Sequence, residues 1–103
     1  MITFTKAAHD RSYGTSLQGY LDIAYADLVK VFGPPHIDGD GEKVDAEWVL
    51  TLASGNVATI YNYKNGKNYL GDEGQATEDI TDWHIGGTTK HVVEEVNAII
   101  EGR

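Results

Sequence analysis

Hydrophobic periodicity predicts an α+β fold for this chain: a small antiparallel sheet packed against two short amphipathic helices. Two patterns carry that reading. Tyr25, Leu28, Val29 and Phe32 recur at i, i+3, i+4 and i+7, the apolar stripe of one helix face. Ala46, Trp48, Leu50 and Leu52 alternate instead with Glu47, Val49 and Thr51, the period of a half-buried strand. With 103 residues, 41% of them hydrophobic, the chain has material for one core, so residues 1–103 are expected to form a single domain.

The elements follow in order. Residues Ile2 to Ala8 read as a short strand and His9 to Thr15 as a polar loop. Leu17 to Ile23 alternates weakly, with Leu17, Gly19 and Leu21 on one face and Tyr20 and Asp22 on the other. The first helix stops after Phe32 because Gly33 suits the C′ position and Pro34-Pro35 cannot continue it. Asp38-Gly39-Asp40-Gly41-Glu42 alternates acids and glycines, but a calcium loop needs a glutamate at its twelfth position and a helix on each side, so a solvated connector is expected. The strand from Ala46 turns at Ser54-Gly55-Asn56 into a partner strand from Val57 to Tyr63. Asn65-Gly66 is a strong hairpin signal, since both central residues of a type I′ turn need positive φ, and it predicts a return strand from Lys67 to Leu70. Gly71 to Glu78 reads as an exposed acidic loop and Ile80 to Ile85 as a last strand. Gly86-Gly87 then precedes a final helix, capped by Thr88 or Thr89, with Val92, Val93, Val96, Ile99 and Ile100 as its buried stripe.

Charge and composition exclude several functions. Sixteen acids against eight bases give a net charge of −8, which disfavours unassisted binding to duplex DNA or to an anionic membrane. The absence of cysteine removes disulfides and thiolate metal sites and fits a reducing cytoplasm. Met1-Ile2-Thr3-Phe4 lacks the regions of a signal peptide, and no apolar run approaches the roughly 20 residues of a membrane helix. There is no His-x-x-x-His pair, Gly-x-Ser-x-Gly elbow, Walker loop or dinucleotide fingerprint, so no metal, cofactor or enzymatic activity is expected. The thin core of so small a chain makes a homo-oligomer the expectation.

The chemistry concentrates in Tyr61-Asn62-Tyr63-Lys64-Asn65-Gly66-Lys67-Asn68-Tyr69, which reads nearly alike in both directions. The two arms about Asn65-Gly66 carry three ring faces, two amides and two cations, which suit a planar, anionic small molecule. Aromatic faces stack on nucleobases, and lysine offers phosphate a point charge. Asp82-Trp83-His84-Ile85-Gly86-Gly87 is the second constellation, because a glycine pair before a helix lets backbone N–H groups approach an anion.

A series of segments carries a resemblance: Val31-Phe32-Gly33-Pro34-Pro35, Lys43-Val44-Asp45-Ala46-Glu47-Trp48, Asn56-Val57-Ala58-Thr59-Ile60-Tyr61-Asn62-Tyr63-Lys64-Asn65-Gly66, Asn68-Tyr69-Leu70-Gly71 and Asp79-Ile80-Thr81-Asp82-Trp83-His84-Ile85-Gly86-Gly87. From about Leu17 to Gly87 the chain is similar to a family of small proteins encoded by tailed bacteriophages and prophages. That resemblance implies a setting, the cytoplasm of an infected bacterium, and work done by binding. One expectation is a sponge that sequesters a nucleotide-derived immune signal without cleaving it. Tyr61, Tyr63, Tyr69 and Trp83 would stack, Asn62, Asn68 and His84 would read polar edges, and Lys64, Lys67, Arg11 and the amides at Gly86 and Gly87 would hold phosphate. The alternative is an acidic inhibitor of a host nuclease or defence complex, of anti-CRISPR or DNA-mimic type, with Asp72, Glu73, Glu78, Asp79 and Asp82 at the contact.

Overall fold

A computed structural model describes residues 4–102; Ile2, expected at the start of the first strand, lies outside them. The protein is an α+β domain built on a six-stranded antiparallel sheet. Its strands are β1 (Phe4–Lys6), β2 (Ser16–Asp22), β3 (Ile37–Asp38), β4 (Ala46–Leu52), β5 (Val57–Tyr61) and β6 (Asp82–Gly87). The spatial order is β1-β4-β5-β6-β2, and β3 joins β4 on the edge it shares with β1. The amphipathic helices α1 (Tyr25–Phe32) and α3 (His91–Glu101) lie on one face, with a single-turn helix α2 (Lys67–Leu70) between them in sequence.

The periodicities explain the core. Trp48, Leu50 and Leu52 of β4, Ala58 and Ile60 of β5, Trp83 and Ile85 of β6 and Leu21 of β2 form one apolar layer. Leu28 and Phe32 of α1 and Val92, Val96 and Ile100 of α3 pack onto it. The two tryptophan rings meet edge to face at 5.5 Å, and each indole N–H finds a carbonyl: Trp48 donates to Gly33, Trp83 to Ile23 and Ile80. Gly33 closes α1 with φ of 79° and donates its N–H to Val29, as its position before the proline pair predicts.

Four expectations need correction. The segment after Asn65-Gly66 is not a return strand: Lys67–Leu70 is helical, and the residue with positive φ is Lys64 at 63°, while Gly66 is extended at −101°. Side-chain hydrogen bonds account for this. Buried Asn62 accepts from the backbone N–H groups of Asp45 and Ala46 and donates to the side chains of Asp45 and Asn65. Asp45 in turn accepts from the Asn68 N–H, and the Asn68 amide donates to the Val44 carbonyl. The loop is thereby folded back onto β4. Gly86 and Gly87 do not directly precede α3 but are the end of β6, and among the described residues no side chain caps α3; Thr88 instead accepts from the Val57 N–H. Beside the two amphipathic helices expected, the described residues include the single-turn helix α2. Finally, β2 carries a bulge between Leu17 and Gly19, which turns Leu17 away from the face that Gly19 and Leu21 share.

Asp40 accepts from the N–H groups of Glu42, Lys43 and Val44, so the acidic connector is an internally bonded turn. Among the described residues no cluster of three or more metal-ligating side chains occurs.

Replacing Asn62 by Ala leaves two backbone donors without their acceptor. At a net cost of about 1–3 kcal/mol for each unsatisfied buried group, the variant is expected to lose roughly 2–4 kcal/mol in chemical denaturation. Asn62→Asp keeps the acceptor but sets a buried carboxylate oxygen against the Asp45 carboxylate and the Asn65 oxygen, so at pH 7 it should lose at least as much as Asn62→Ala.

Candidate functional site on the outer face of the sheet

The sheet face opposite the helices carries the site. Register places Glu47 of β4 beside Tyr61 of β5, Tyr61 beside His84 of β6, and His84 beside Tyr20 of β2. A second row runs Val49, Thr59, Gly86 and Leu17 across the same strands. Side chains directly opposite one another stand about 5 Å apart, so the first row is a continuous stripe. His84 is its centre: its ring lies 4.9 Å from Tyr20, 5.4 Å from Tyr61 and 5.4 Å from Tyr63. Tyr20 is 62% exposed and Tyr63 39%, so ring faces remain open to water. Lys64 sits at the end of the stripe, its ammonium 5.3 Å from the ring centroids of both Tyr63 and Tyr69.

Two adjoining hollows follow the stripe. The first, about 300 Å³, is lined by Leu17, Tyr61, Tyr63 and His84. The second, about 210 Å³, shares Leu17 and Tyr61 and extends to Glu47, Thr59, Gly86 and the hydroxyl residues Ser12 and Ser16. Gly86 is required in its floor, because a Cβ there would come within 2.4 Å of the Thr59 hydroxyl oxygen. A 3-10 turn, His9–Ser12, overhangs this end. A larger open depression of about 480 Å³ lies between β2, α1 and α3, but only Tyr20 offers it a ring.

Electrostatics divide the stripe. Burial lowers the pKa of His84, against the opposing charge of Asp82, so its imidazole is neutral at neutral pH. Burial raises the Tyr61 hydroxyl, and the nearby Glu47 charge adds to it. Burial also raises Glu47, with His9 opposing and Asp40 reinforcing the shift. Neither the Glu47 carboxylate nor the Thr59 hydroxyl has a hydrogen bond to another described residue.

Of the residues singled out from sequence, Tyr61, Tyr63, Lys64, Tyr69 and His84 come together and Gly86 lies in the floor. Trp83 does not join them: it points to the helix side and is fully buried, so its ring is not available to a guest. Asn62 and Asn68 are committed to the loop network described above. Gly87 packs beneath Val92. Lys67 begins α2 and Arg11 belongs to the overhanging turn, both exposed. Tyr20, Leu17, Glu47 and Thr59 were absent from the sequence list. Alternation put Tyr20 on a face away from Leu21, but nothing local reveals that β2 pairs with β6. No protein-family model matches this chain, and no curated protein matches it.

Ionised Glu47 opposes folding, because its folded pKa is above its ordinary value of 4.5. Stability from this group is full below that value and is lost as pH rises through the folded pKa. Glu47→Gln is therefore expected to melt a few degrees above the parent at pH 7. The gap should close in melts below about pH 4.5, where the carboxyl is protonated folded or unfolded. The groups facing it are His9 of the overhanging turn, Asp40 of the connector and Tyr61 of β5, so both proteins are compared at each pH.

Proposed function

We propose that the protein is a non-catalytic binding protein that captures a planar, nucleotide-type small molecule on the outer face of its sheet. The observation that carries this is the convergence of Tyr61, Tyr63 and His84 around an open hollow of about 300 Å³, with the exposed Tyr20 ring set edge-on against His84. Aromatic faces beside such a hollow suit a flat ring, and the neutral imidazole offers one donor and one acceptor to its edge. Lys64, held between two tyrosines, is the cation placed to meet a phosphate. Its left-handed backbone, which costs a non-glycine residue about 1–3 kcal/mol, is the strain expected where a side chain must be aimed.

Together with the resemblance to phage-encoded proteins, this supports a sponge for a nucleotide-derived immune signal in the cytoplasm of an infected bacterium. The proposal includes a homo-oligomer, since Leu17 and Tyr20 stand exposed on β2 at the edge of the sheet. Among the described residues no helix is long and apolar enough to cross a membrane. A second reading has one observation behind it. Asp72, Glu73, Glu78, Asp79 and Asp82 are all exposed within one segment, an acidic strip that suits the inhibitor alternative and a basic host protein.

A panel of ribonucleotides, cyclic dinucleotides and ADP-ribose-type molecules is expected to contain a ligand that raises the melting temperature and is recovered intact after heat denaturation. Unchanged melting across the panel would overturn the reading. Stacking contributes about 1–3 kcal/mol per ring, so Tyr20→Ala and Tyr63→Ala should each weaken binding roughly tenfold to a hundredfold. Because both rings are exposed, neither change should lower stability by more than about 1 kcal/mol. Recovery of a stoichiometric host nuclease, lost when the five acids are neutralised, would favour the inhibitor.

A further inference from the structure

The second hollow holds two polar groups that the fold does not use. Glu47 is half-buried and Thr59 is 2% exposed, and neither side chain bonds to another described residue. A carboxylate in that position is a cost to the fold, as its raised pKa shows. Both groups line the same hollow beside Tyr61, whose ring also lines the aromatic hollow. Strands in a sheet are about 4.8 Å apart. Glu47 on β4 is therefore some two strand spacings, about 10 Å, from His84 on β6. That is the reach of a flat ring together with an attached ribose.

We propose that Glu47 and Thr59 form a subsite for the vicinal 2′,3′-diol of a ribose whose base stacks against Tyr61, Tyr63 and His84. This deepens the small-molecule reading above and rests on it. The chemistry matches the guest. An ionised carboxylate only accepts hydrogen bonds, and two neighbouring hydroxyls offer it two donors; the Thr59 hydroxyl can donate to or accept from the same sugar oxygens. A phosphate is the wrong guest for this hollow, because Glu47 repels it and no lysine or arginine lines the wall. The cation for a phosphate is Lys64, beside Tyr63 and outside this hollow.

The test is titration calorimetry of the full chain with adenosine, 2′-deoxyadenosine and 3′-deoxyadenosine, repeated with Glu47→Gln. Adenosine is expected to bind the parent at least tenfold more tightly than either deoxynucleoside, and Glu47→Gln should bring the three within about twofold. Because that variant is expected to be the more stable protein, its lost affinity is not unfolding. Acidification that protonates Glu47 should reproduce the variant's loss of discrimination. If the three nucleosides bind the parent equally but Tyr63→Ala still weakens all of them, the diol subsite is wrong and the stacking site stands. If guanosine and 2′-deoxyguanosine bind equally and both weaken in Glu47→Gln, the carboxylate reads a base edge, which also overturns the diol assignment. If adenosine, guanosine, cytidine and uridine all fail to bind, the diol subsite is wrong, and the stacking reading falls with it if the nucleotide panel also leaves the melting temperature unchanged.

Discussion

A single buried amide determines the shape of the site. Asn62 is fully buried and its side chain is saturated, with the N–H groups of Asp45 and Ala46 on its oxygen and two side-chain oxygens on its nitrogen. A hairpin continuing through Asn65-Gly66 would have to satisfy those groups some other way, each at about 1–3 kcal/mol if it failed. The chain instead bends after Tyr61, spreads Asn65 toward the Asp82 carbonyl and sets Lys67–Leu70 into a helical turn. This bend takes Tyr63 out of the ladder and toward His84, and it puts Lys64 in the left-handed region with its ammonium between Tyr63 and Tyr69. The amides were expected to read a guest; they act one step earlier, by holding the rings where a guest can meet them.

What was legible in the sequence is what local periodicity encodes. The stripe through Tyr25, Leu28, Val29 and Phe32 is α1, the alternation from Ala46 is β4, and the stop at Gly33 is a positive-φ residue before two prolines. Strand pairing is a non-local property. Tyr20 and His84 face each other from positions with no shared pattern, so the centre of the stripe could not be assembled from either segment alone. The bulge in β2 compounded this. Strict alternation kept Leu17 with Leu21, whereas the inserted residue moves Leu17 onto the outer face beside Gly86. Trp83 shows the converse error: six residues of strand do not reveal which parity is buried, and the helix side claimed the larger ring.

The electrostatics of the stripe refine the expected guest. The chain carries a net charge of −8, and the acids nearest the rings are Glu47 at one end and Asp82 beside His84. Ring faces themselves attract cations, and two of them are already engaged by Lys64. A densely charged polyanion would meet repulsion along most of this surface. The surface offers aromatic faces at Tyr61, Tyr63 and His84, acceptors at Glu47 and Thr59, and a lysine beside Tyr63, which suits a molecule with one flat ring, a neutral polar body and its negative charge confined to one end.

Stability and binding pull in opposite directions at Glu47. A glutamine or an apolar residue there would remove a half-buried charge that burial alone penalises, and the cross-strand partner Tyr61 would gain a less polar neighbour. The core on the opposite face does not need the carboxylate, because Trp48 and Leu50 of the same strand face the helices and are fully buried. The overhanging turn does not need it either, since Ser12 donates to the His9 carbonyl and Thr15 to the Ser12 carbonyl. Apart from the attraction of His9, nothing among the described residues offsets the cost of burying this carboxylate, which leaves its oxygens open to donors from outside the chain. The same argument does not extend to Asp40, whose Oδ1 accepts from three backbone N–H groups and whose pKa is lowered accordingly.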